Sequence, residues 1–123
     1  MNIALLGNPN SGKSSLFNAL TGLRQRVGNF PGVTVDRKTG SLDLPGGGKA
    51  RIIDLPGTYS LFTRSEDELI AAQVLIDPTH KDHPDVVLMV ADATNLRRSL
   101  LLCTQAMDLG LPVVLALHMS DLL

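Results

Sequence analysis

Short apolar runs and amphipathic stretches alternate along most of the chain. Residues 2–6, 86–91 and 113–117 are short and almost continuously apolar, which is typical of buried strands in a parallel sheet. Residues 14–20 and 95–109 instead space their apolar side chains on one face, as an amphipathic helix does. This alternation predicts an α/β domain with a mostly parallel sheet.

The longer helix, 95–109, is predicted to bury one stripe of side chains. Leu96, Leu100, Cys103 and Met107 lie at i, i+4, i+7 and i+11, and a glycine follows to end the helix. Cys103 is therefore expected in the core. It is the single cysteine of the chain, which excludes an intramolecular disulfide framework.

The middle of the chain carries the turn signals. Glycine and proline interrupt residues 24–33, which we predict to be a loop. The stretches 33–44 and 49–55 flank a glycine-rich turn and predict a β-hairpin. A second helix is predicted to begin near Ser65 or Glu66, because three consecutive acidic residues there would face the positive end of the helix dipole.

The length and composition limit the classes of protein to which this chain can belong. The chain has 123 residues, of which 44% are apolar, so we expect one small globular domain over residues 1–123. A net charge of −1 argues against a general polyanion binder, and we expect no nucleic-acid partner. No apolar run reaches the roughly 18 residues of a membrane span, and no basic-then-apolar leader is present. We therefore expect the chain itself to be soluble and intracellular.

A polar loop, residues 77–85, holds the side chains that resemble metal ligands. His80, Asp82, His83 and Asp85 cluster there, close to two prolines. Their spacing in a proline-flanked loop favours solvated surface residues over a metal site.

The strongest chemical signal is the motif G-x-x-x-x-G-K-S, which lies between a predicted strand and a predicted helix. Its glycines let the backbone curl so that amide N–H groups surround a phosphate oxygen. Lys13 would reach the outer phosphates, and Ser14 would offer its hydroxyl to Mg²⁺. The predicted phosphate-binding residues are Gly7, Asn8, Pro9, Asn10, Ser11, Gly12, Lys13, Ser14 and Ser15.

A second motif, D-x-x-G, follows at the end of a predicted strand. The Asp54 carboxylate can hold Mg²⁺ through water, and the Gly57 amide can meet a γ-phosphate. Thr34 can complete the Mg²⁺ shell while the γ-phosphate is present, and Gly32 and Val33 in the same loop are also predicted to bind the nucleotide. Its loop would then be an order–disorder switch.

In this order the motifs resemble those of translation-factor-related GTPases. The stretches R-V-G-N-F-P-G-V-T-V (26–35), D-L-P-G-T-Y-S-L (54–61) and A-D-A-T-N-L (91–96) narrow the resemblance to the N-terminal cytoplasmic G domain of the bacterial ferrous iron transport protein B family. The resemblance covers nearly the whole chain. It implies a P-loop, Ras-like G domain that binds GTP and GDP, hydrolyses GTP slowly and regulates Fe²⁺ uptake. The implied partner is a transmembrane iron-permease domain, and this chain would lie at the cytoplasmic face of the bacterial inner membrane. Whether it forms an oligomer stays open.

The resemblance also implies roles for single residues. Asn10 would help hold K⁺ against the phosphates, where a cation neutralises developing charge. Thr58 stands where Ras-like enzymes have a glutamine that orients water. Hydrolysis would then depend on positioning and charge neutralisation, with Asn10, Lys13, Thr34 and Gly57 in the catalytic roles.

Guanine recognition departs from the family pattern. The family usually has N-x-x-D after the last strand seen here, whereas this chain has H-M-S-D at 118–121. Asp121 would accept hydrogen bonds that adenine cannot donate, whereas His118 cannot reproduce the paired donor and acceptor of an amide. The chain ends two residues later, so we expect a C-terminally truncated G domain that lacks its last strand, last helix and membrane part.

Two other functions fit the same motifs. A potassium-activated GTPase of ribosome or tRNA maturation shares the phosphate loop and the missing glutamine. A non-catalytic binding module would result if His118 and the absent C-terminal elements abolish useful affinity for the nucleotide.

Overall fold

The computed structural model describes residues 1–62 and 65–118. The strands are β1 (Asn2–Gly7), β2 (Gln25–Asn29), β3 (Asp36–Asp43), β4 (Lys49–Asp54), β5 (Val86–Asp92) and β6 (Val113–His118). The helices are α1 (Lys13–Thr21), α2 (Glu66–Ile76) and α3 (Leu96–Asp108), the last preceded by a 3₁₀ turn at Ala93–Asn95. The strands form one sheet in the order β2-β3-β4-β1-β5-β6.

The centre of this sheet is parallel and one side is antiparallel. β1 lies between β4 and β5 and is parallel to both, and β6 is parallel to β5. β3 is antiparallel to β4 and to β2. This confirms the predicted mostly parallel α/β sheet with its hairpin. The carboxyl ends of β1, β4 and β5 meet at one edge, which is where open α/β sheets bind ligands.

Alternation along β1 distributes the core over both faces of the sheet. Ala4 and Leu6 face the cluster that α2 and α3 cover, whereas Leu5 packs with Phe17 of α1 on the other face. All four side chains are at most 1% exposed. Burial on both faces explains why the strand reads as a continuous apolar run.

β2 contradicts the loop predicted for residues 24–33. It pairs in antiparallel register with β3 at the edge of the sheet, where Gly28 faces Arg37. Most of its side chains are exposed, including Val27 at 66%. An edge strand with little burial has no apolar alternation to reveal it, so only the turn residues around it were visible in the sequence.

The stripe predicted for α3 is wrong except at Cys103. Leu96, Leu100 and Met107 are about half exposed. The residues that α3 buries are Ser99, Leu102, Cys103 and Ala106. All of these except Leu102 are small, which lets the helix lie close to the sheet. The hydrophobic periodicity of a sequence carries no information about side-chain size.

β6 is a strand as predicted, but it is not buried as predicted. Val114, Leu115 and Leu117 are about half exposed. Within the described residues, β6 pairs with β5 alone and lies at the edge of the sheet. The start of α2 at Glu66, directly after Ser65, is confirmed.

Candidate nucleotide-binding site

The G-x-x-x-x-G-K-S motif forms the turn between β1 and α1. The chain leaves β1 at Gly7, and α1 begins at Lys13. Asn10 and Gly12 adopt left-handed backbone conformations, with φ of 63° and 89°. Such residues within a tight turn form the concave backbone that binds anions through its N–H groups.

Both glycines of the motif are required by close approach of neighbouring groups. A Cβ at Gly7 would lie 2.8 Å from Ser11 Oγ and 3.1 Å from the carbonyl oxygen of Val90. A Cβ at Gly12 would lie within 2.7 Å of three ring atoms of His118. The Ser11 hydroxyl is buried without a hydrogen-bond partner in the described part of the chain. The loop therefore has the tight backbone and a spare donor that suit a bound phosphate.

The two motifs meet in an ion pair between Lys13 and Asp54. Their side chains are only 10% and 9% exposed. Asp54 ends β4 in register with Leu5 of β1, and a small cavity of about 190 Å³ reaches both groups. The fold thus places a cation suited to phosphates beside a carboxylate suited to Mg²⁺.

The turn of the D-x-x-G motif packs directly on the phosphate loop. A Cβ at Gly57 would lie 3.0 Å from Pro9 Cα, so a larger residue would push the two loops apart. The next amide, Thr58 N–H, donates to the Gly7 carbonyl at 3.0 Å. The Thr58 hydroxyl is turned away and donates to the Ser60 carbonyl at 2.7 Å.

Asn8 contributes its backbone to the site, but its side chain points into the protein. Its Nδ2 donates to the Thr58 carbonyl at 2.8 Å, and its Oδ1 accepts from Ser99 Oγ at 3.2 Å. Ser99 is fully buried on α3 and accepts from Asp92 N–H at 3.1 Å. Sequence reasoning missed Ser99, because a serine within a helix carries no motif of its own.

An open cleft of about 610 Å³ brings most of the predicted site residues together. The residues that line it are Asn8, Pro9, Asn10, Ser11, Gly12, Lys13, Ser14, Ser15, Pro56, Gly57, Asp67 and His118. Gly32, Val33 and Thr34 line a neighbouring cleft of about 670 Å³, which shares Asp67 with the first. Asp121 lies outside the described residues.

His118 lies against the phosphate loop at the end of β6. Its register partner on β5 is Asp92, whose carboxylate accepts from the Thr94 hydroxyl at 2.7 Å and the Thr94 amide at 2.9 Å. These hydrogen bonds, with a smaller contribution from His118, lower the pKa of Asp92 below its ordinary value. Asp92 is therefore an anion beside the imidazole at neutral pH.

Asp82 contradicts the prediction that its loop is solvated. It is fully buried and accepts from Arg37 Nε and Nη2 at 2.7 and 2.6 Å and from Arg51 Nη2 at 2.9 Å. Burial by itself raises the pKa of Asp82, but the hydrogen bonds and charges of the two arginines outweigh it and lower the pKa. Its neighbours His80 and His83 also make internal hydrogen bonds.

The described residues hold neither a membrane span nor a cluster of metal ligands. Over 1–62 and 65–118, no helix has the length and apolar character needed to cross a membrane. Over the same ranges, no three His, Cys, Asp or Glu side chains come together as a metal site would require.

Comparison with known proteins gives consistent matches over the whole chain. The family model for ferrous iron transport protein B matches residues 1–123. The Fe(2+) transporter FeoB of Legionella pneumophila (strain Paris) is 52% identical over 122 residues, which cover 96% of this chain and 16% of that protein. The chain therefore spans about a sixth of the length of such relatives.

Solved structures of similar proteins have the same fold. The G domain of the T. maritima FeoB iron transporter is 45% identical, with a TM-score of 0.88 over 95% of this chain and 70% of that one. A GDP-bound mutant of S. thermophilus NFeoB is 49% identical, with a TM-score of 0.83 over 95% of this chain and 44% of that one. The resemblance inferred from the motifs is confirmed: this chain belongs to the ferrous iron transport protein B family and has the fold of its N-terminal G domain.

Proposed function

We propose that this chain binds and hydrolyses GTP and thereby regulates Fe²⁺ uptake by a membrane permease domain. The observation that carries the proposal is the phosphate loop at the end of β1, with Gly57 packed against it and Lys13 at the first turn of α1. A similar protein from S. thermophilus has been solved with GDP, and similar full-length proteins are Fe(2+) transporters. We place the G domain over residues 1–123, at the cytoplasmic face of the inner membrane.

The phosphates would lie in the 610 Å³ cleft over the start of α1. Backbone amides of the loop and the helix dipole attract the anion there. Lys13 is held by Asp54, and a bound triphosphate would compete for its ammonium. The competition frees the Asp54 carboxylate, so one exchange prepares the site for phosphate and for Mg²⁺.

Oxygen ligands suited to metal ions surround this cleft. Ser14 and Asp54 would hold Mg²⁺, with Thr34 joining when its loop closes, and the side chain of Asn10 would hold K⁺. Bound there, the two cations would neutralise charge on the phosphate oxygens. The exposed Ser14 hydroxyl and the left-handed Asn10 at the cleft wall support this assignment.

Hydrolysis at this site depends more on the positioning of water and the γ-phosphate than on a side-chain base that takes a proton from the water. Water attacks the γ-phosphorus, the bond to the bridging oxygen breaks, and the proton of water passes to phosphate oxygen. Thr58 does not act as base or water ligand, because it is fully buried and its hydroxyl is committed to Ser60. Lys13, the loop amides and the Gly57 amide supply the electrostatic stabilisation.

Guanine selectivity would come from the end of β6 and the residues after it. His118 packs on Gly12 and lines the cleft, so its ring is in position to contact the nucleotide beside the phosphates. Asp121 would accept hydrogen bonds from the guanine N1–H and 2-amino group, and adenine has neither donor.

Calorimetry with GTP, GDP and ATP in the presence of Mg²⁺ tests this function. We expect GTP and GDP to bind, ATP to bind far more weakly, and phosphate release to be faster in K⁺ than in Na⁺. GTP binding with K⁺-stimulated turnover would support the proposed function, whereas no measurable GTP binding would reject it and favour the non-catalytic module. The alternative of ribosome or tRNA maturation has no support, because the chain belongs to a different family.

A further inference from the structure

The residues that follow the D-x-x-G motif, the Thr58–Leu61 segment, are bound to α3 by a glutamine. Gln105 Oε1 accepts from the Leu61 N–H at 2.8 Å. The Ser60 hydroxyl lies 3.2 Å from Gln105 Oε1 and 3.1 Å from Gln105 Nε2. One side chain of α3 therefore binds both the backbone and the side chain of this segment.

A second contact from α3 reaches the same segment about two turns earlier in the helix. The Arg98 guanidinium lies 4.8 Å from the centre of the Tyr59 ring. Tyr59 is 41% exposed, and a solvated cation–π contact contributes little. The Leu61 amide belongs to a residue that is only 4% exposed, and an unpaired buried N–H is costly. Of the two contacts, Gln105 is therefore the stronger one.

The other end of the segment is bound to the phosphate loop. Thr58 N–H donates to the Gly7 carbonyl at 3.0 Å, and the Thr58 carbonyl accepts from Asn8 at 2.8 Å. Gly57, directly before it, is in contact with Pro9. The Thr58–Leu61 segment thus connects α3 to the turn that carries the Gly57 amide.

We propose that Gln105 is a positioning residue for GTP hydrolysis. By fixing the far end of the Thr58–Leu61 segment, it holds the Gly57 amide where a γ-phosphate would accept a hydrogen bond. It makes no contact with the cleft that holds the phosphate loop, so its effect reaches the nucleotide through the segment. The proposal rests on the function proposed above.

The decisive variant is Gln105→Met, which keeps the length of the side chain and removes both polar ends. We expect kcat for GTP hydrolysis to fall about tenfold, because small misplacements of a stabilising group reduce rate strongly. The Kd for GDP should stay within about twofold, since GDP has no γ-phosphate to contact Gly57, and the KM for GTP should change less than kcat. Gln105→Glu keeps an acceptor for Leu61 N–H and should recover most of the lost rate. Arg97→Gln, at an exposed site on the same helix, is the matched control.

Amide hydrogen exchange gives a readout that does not depend on activity. The Leu61 amide should exchange faster in Gln105→Met than in the wild type or in Gln105→Glu. If the wild-type protein neither binds nor hydrolyses GTP, the proposed function fails, whereas the exchange result still reports whether Gln105 holds the segment.

Three results overturn the proposal. They are an unchanged kcat in Gln105→Met, a loss confined to KM and GDP affinity, and unchanged exchange at Leu61. Should Gln105→Met fail to fold, Gln105→Asn takes its place, because its shorter side chain withdraws the acceptor from Leu61 and keeps the amide. The same three results would then decide.

Discussion

Two buried carboxylates in this protein, Asp54 and Asp82, are paired with different cations in different surroundings. Each is paired with a cation and is at most 9% exposed. Asp54 pairs with the single ammonium of Lys13 beside an open cleft. Asp82 accepts hydrogen bonds from Nε and Nη2 of Arg37 and a further one from Nη2 of Arg51.

The chemistry of the cations explains the difference. A guanidinium has a planar, pre-oriented set of donors that matches a carboxylate, whereas a lysine ammonium is a compact charge on a flexible chain. Arg37 and Arg51 tie the loop before β5 to strands β3 and β4, which favours stability. In the proposed function, Lys13 exchanges its carboxylate partner for a phosphate. A buried ion pair is therefore not by itself a sign of either stability or function.

The largest expected effect comes from breaking the arginine pair with Asp82→Asn. Two partly buried guanidinium groups would lose their counter-charge, and the free energy of unfolding should fall by about 3 kcal/mol. Urea denaturation measures this. Asp43→Asn is the control, since Asp43 pairs with Arg24 at the surface and such pairs contribute about 0.5 kcal/mol. An equal loss in both variants would contradict a structural role specific to Asp82.

The stability that the Asp82 ion pairs contribute should also depend on pH. The pKa of Asp82 is lower in the folded protein than its ordinary value, so its stabilisation is complete above the unfolded pKa of about 4. It is lost as the pH falls through the folded pKa. The stability difference between wild type and Asp82→Asn should therefore narrow on acidification. A difference that stays constant to pH 3 would argue against the assignment.

An effect of similar size is expected for Lys13→Ala in the other pair. Loss of a charged hydrogen bond to the phosphates costs about 3 kcal/mol, or about a hundredfold in GTP affinity. Titration calorimetry measures the loss, and Lys49→Ala, at an exposed site on β4, should bind GTP as the wild type does. Undiminished nucleotide binding in Lys13→Ala would remove the basis of the proposed function.

Asp54→Asn tests the other member of this ion pair, because it removes the carboxylate and keeps Lys13. We expect the gain in GTP affinity on adding Mg²⁺ to shrink about tenfold, equivalent to about 1.4 kcal/mol, with binding in EDTA little changed. Asp36→Asn alters an exposed carboxylate that lines the same small cavity and should keep the full Mg²⁺ effect. Equal Mg²⁺ dependence in wild type and Asp54→Asn would show that Asp54 does not serve the metal.

The smallest expected effect belongs to Thr34→Ala. Thr34 is exposed and lies outside the cleft of the phosphate loop. Its single hydroxyl should contribute about 1 kcal/mol, or about fivefold, to a GTP analogue and nothing to GDP. Parallel titrations with the two nucleotides measure this preference. An equal loss for both would place Thr34 in general nucleotide binding and not in a switch.

The two ion pairs differ in how far the sequence predicts them, and the reason is physical. Lys13 and Asp54 belong to motifs whose spacing is set by the backbone of a strand, a turn and a helix, and such local geometry is visible in the sequence. Asp82 lies 45 residues from Arg37, and no local pattern connects them. The same reason hides Ser99 and Gln105, which act only through segments that fold onto α3.

By itself the sequence determined the α/β class, the phosphate loop, the D-x-x-G turn and the family, because each depends on short-range spacing. The tertiary structure alone decided the edge strand β2, the exposed face of α3, the burial of Asp82 and the contact of Gly57 with Pro9. Those features depend on which surfaces meet across the sheet, and burial and hydrogen bonding are properties of that meeting and not of neighbouring residues.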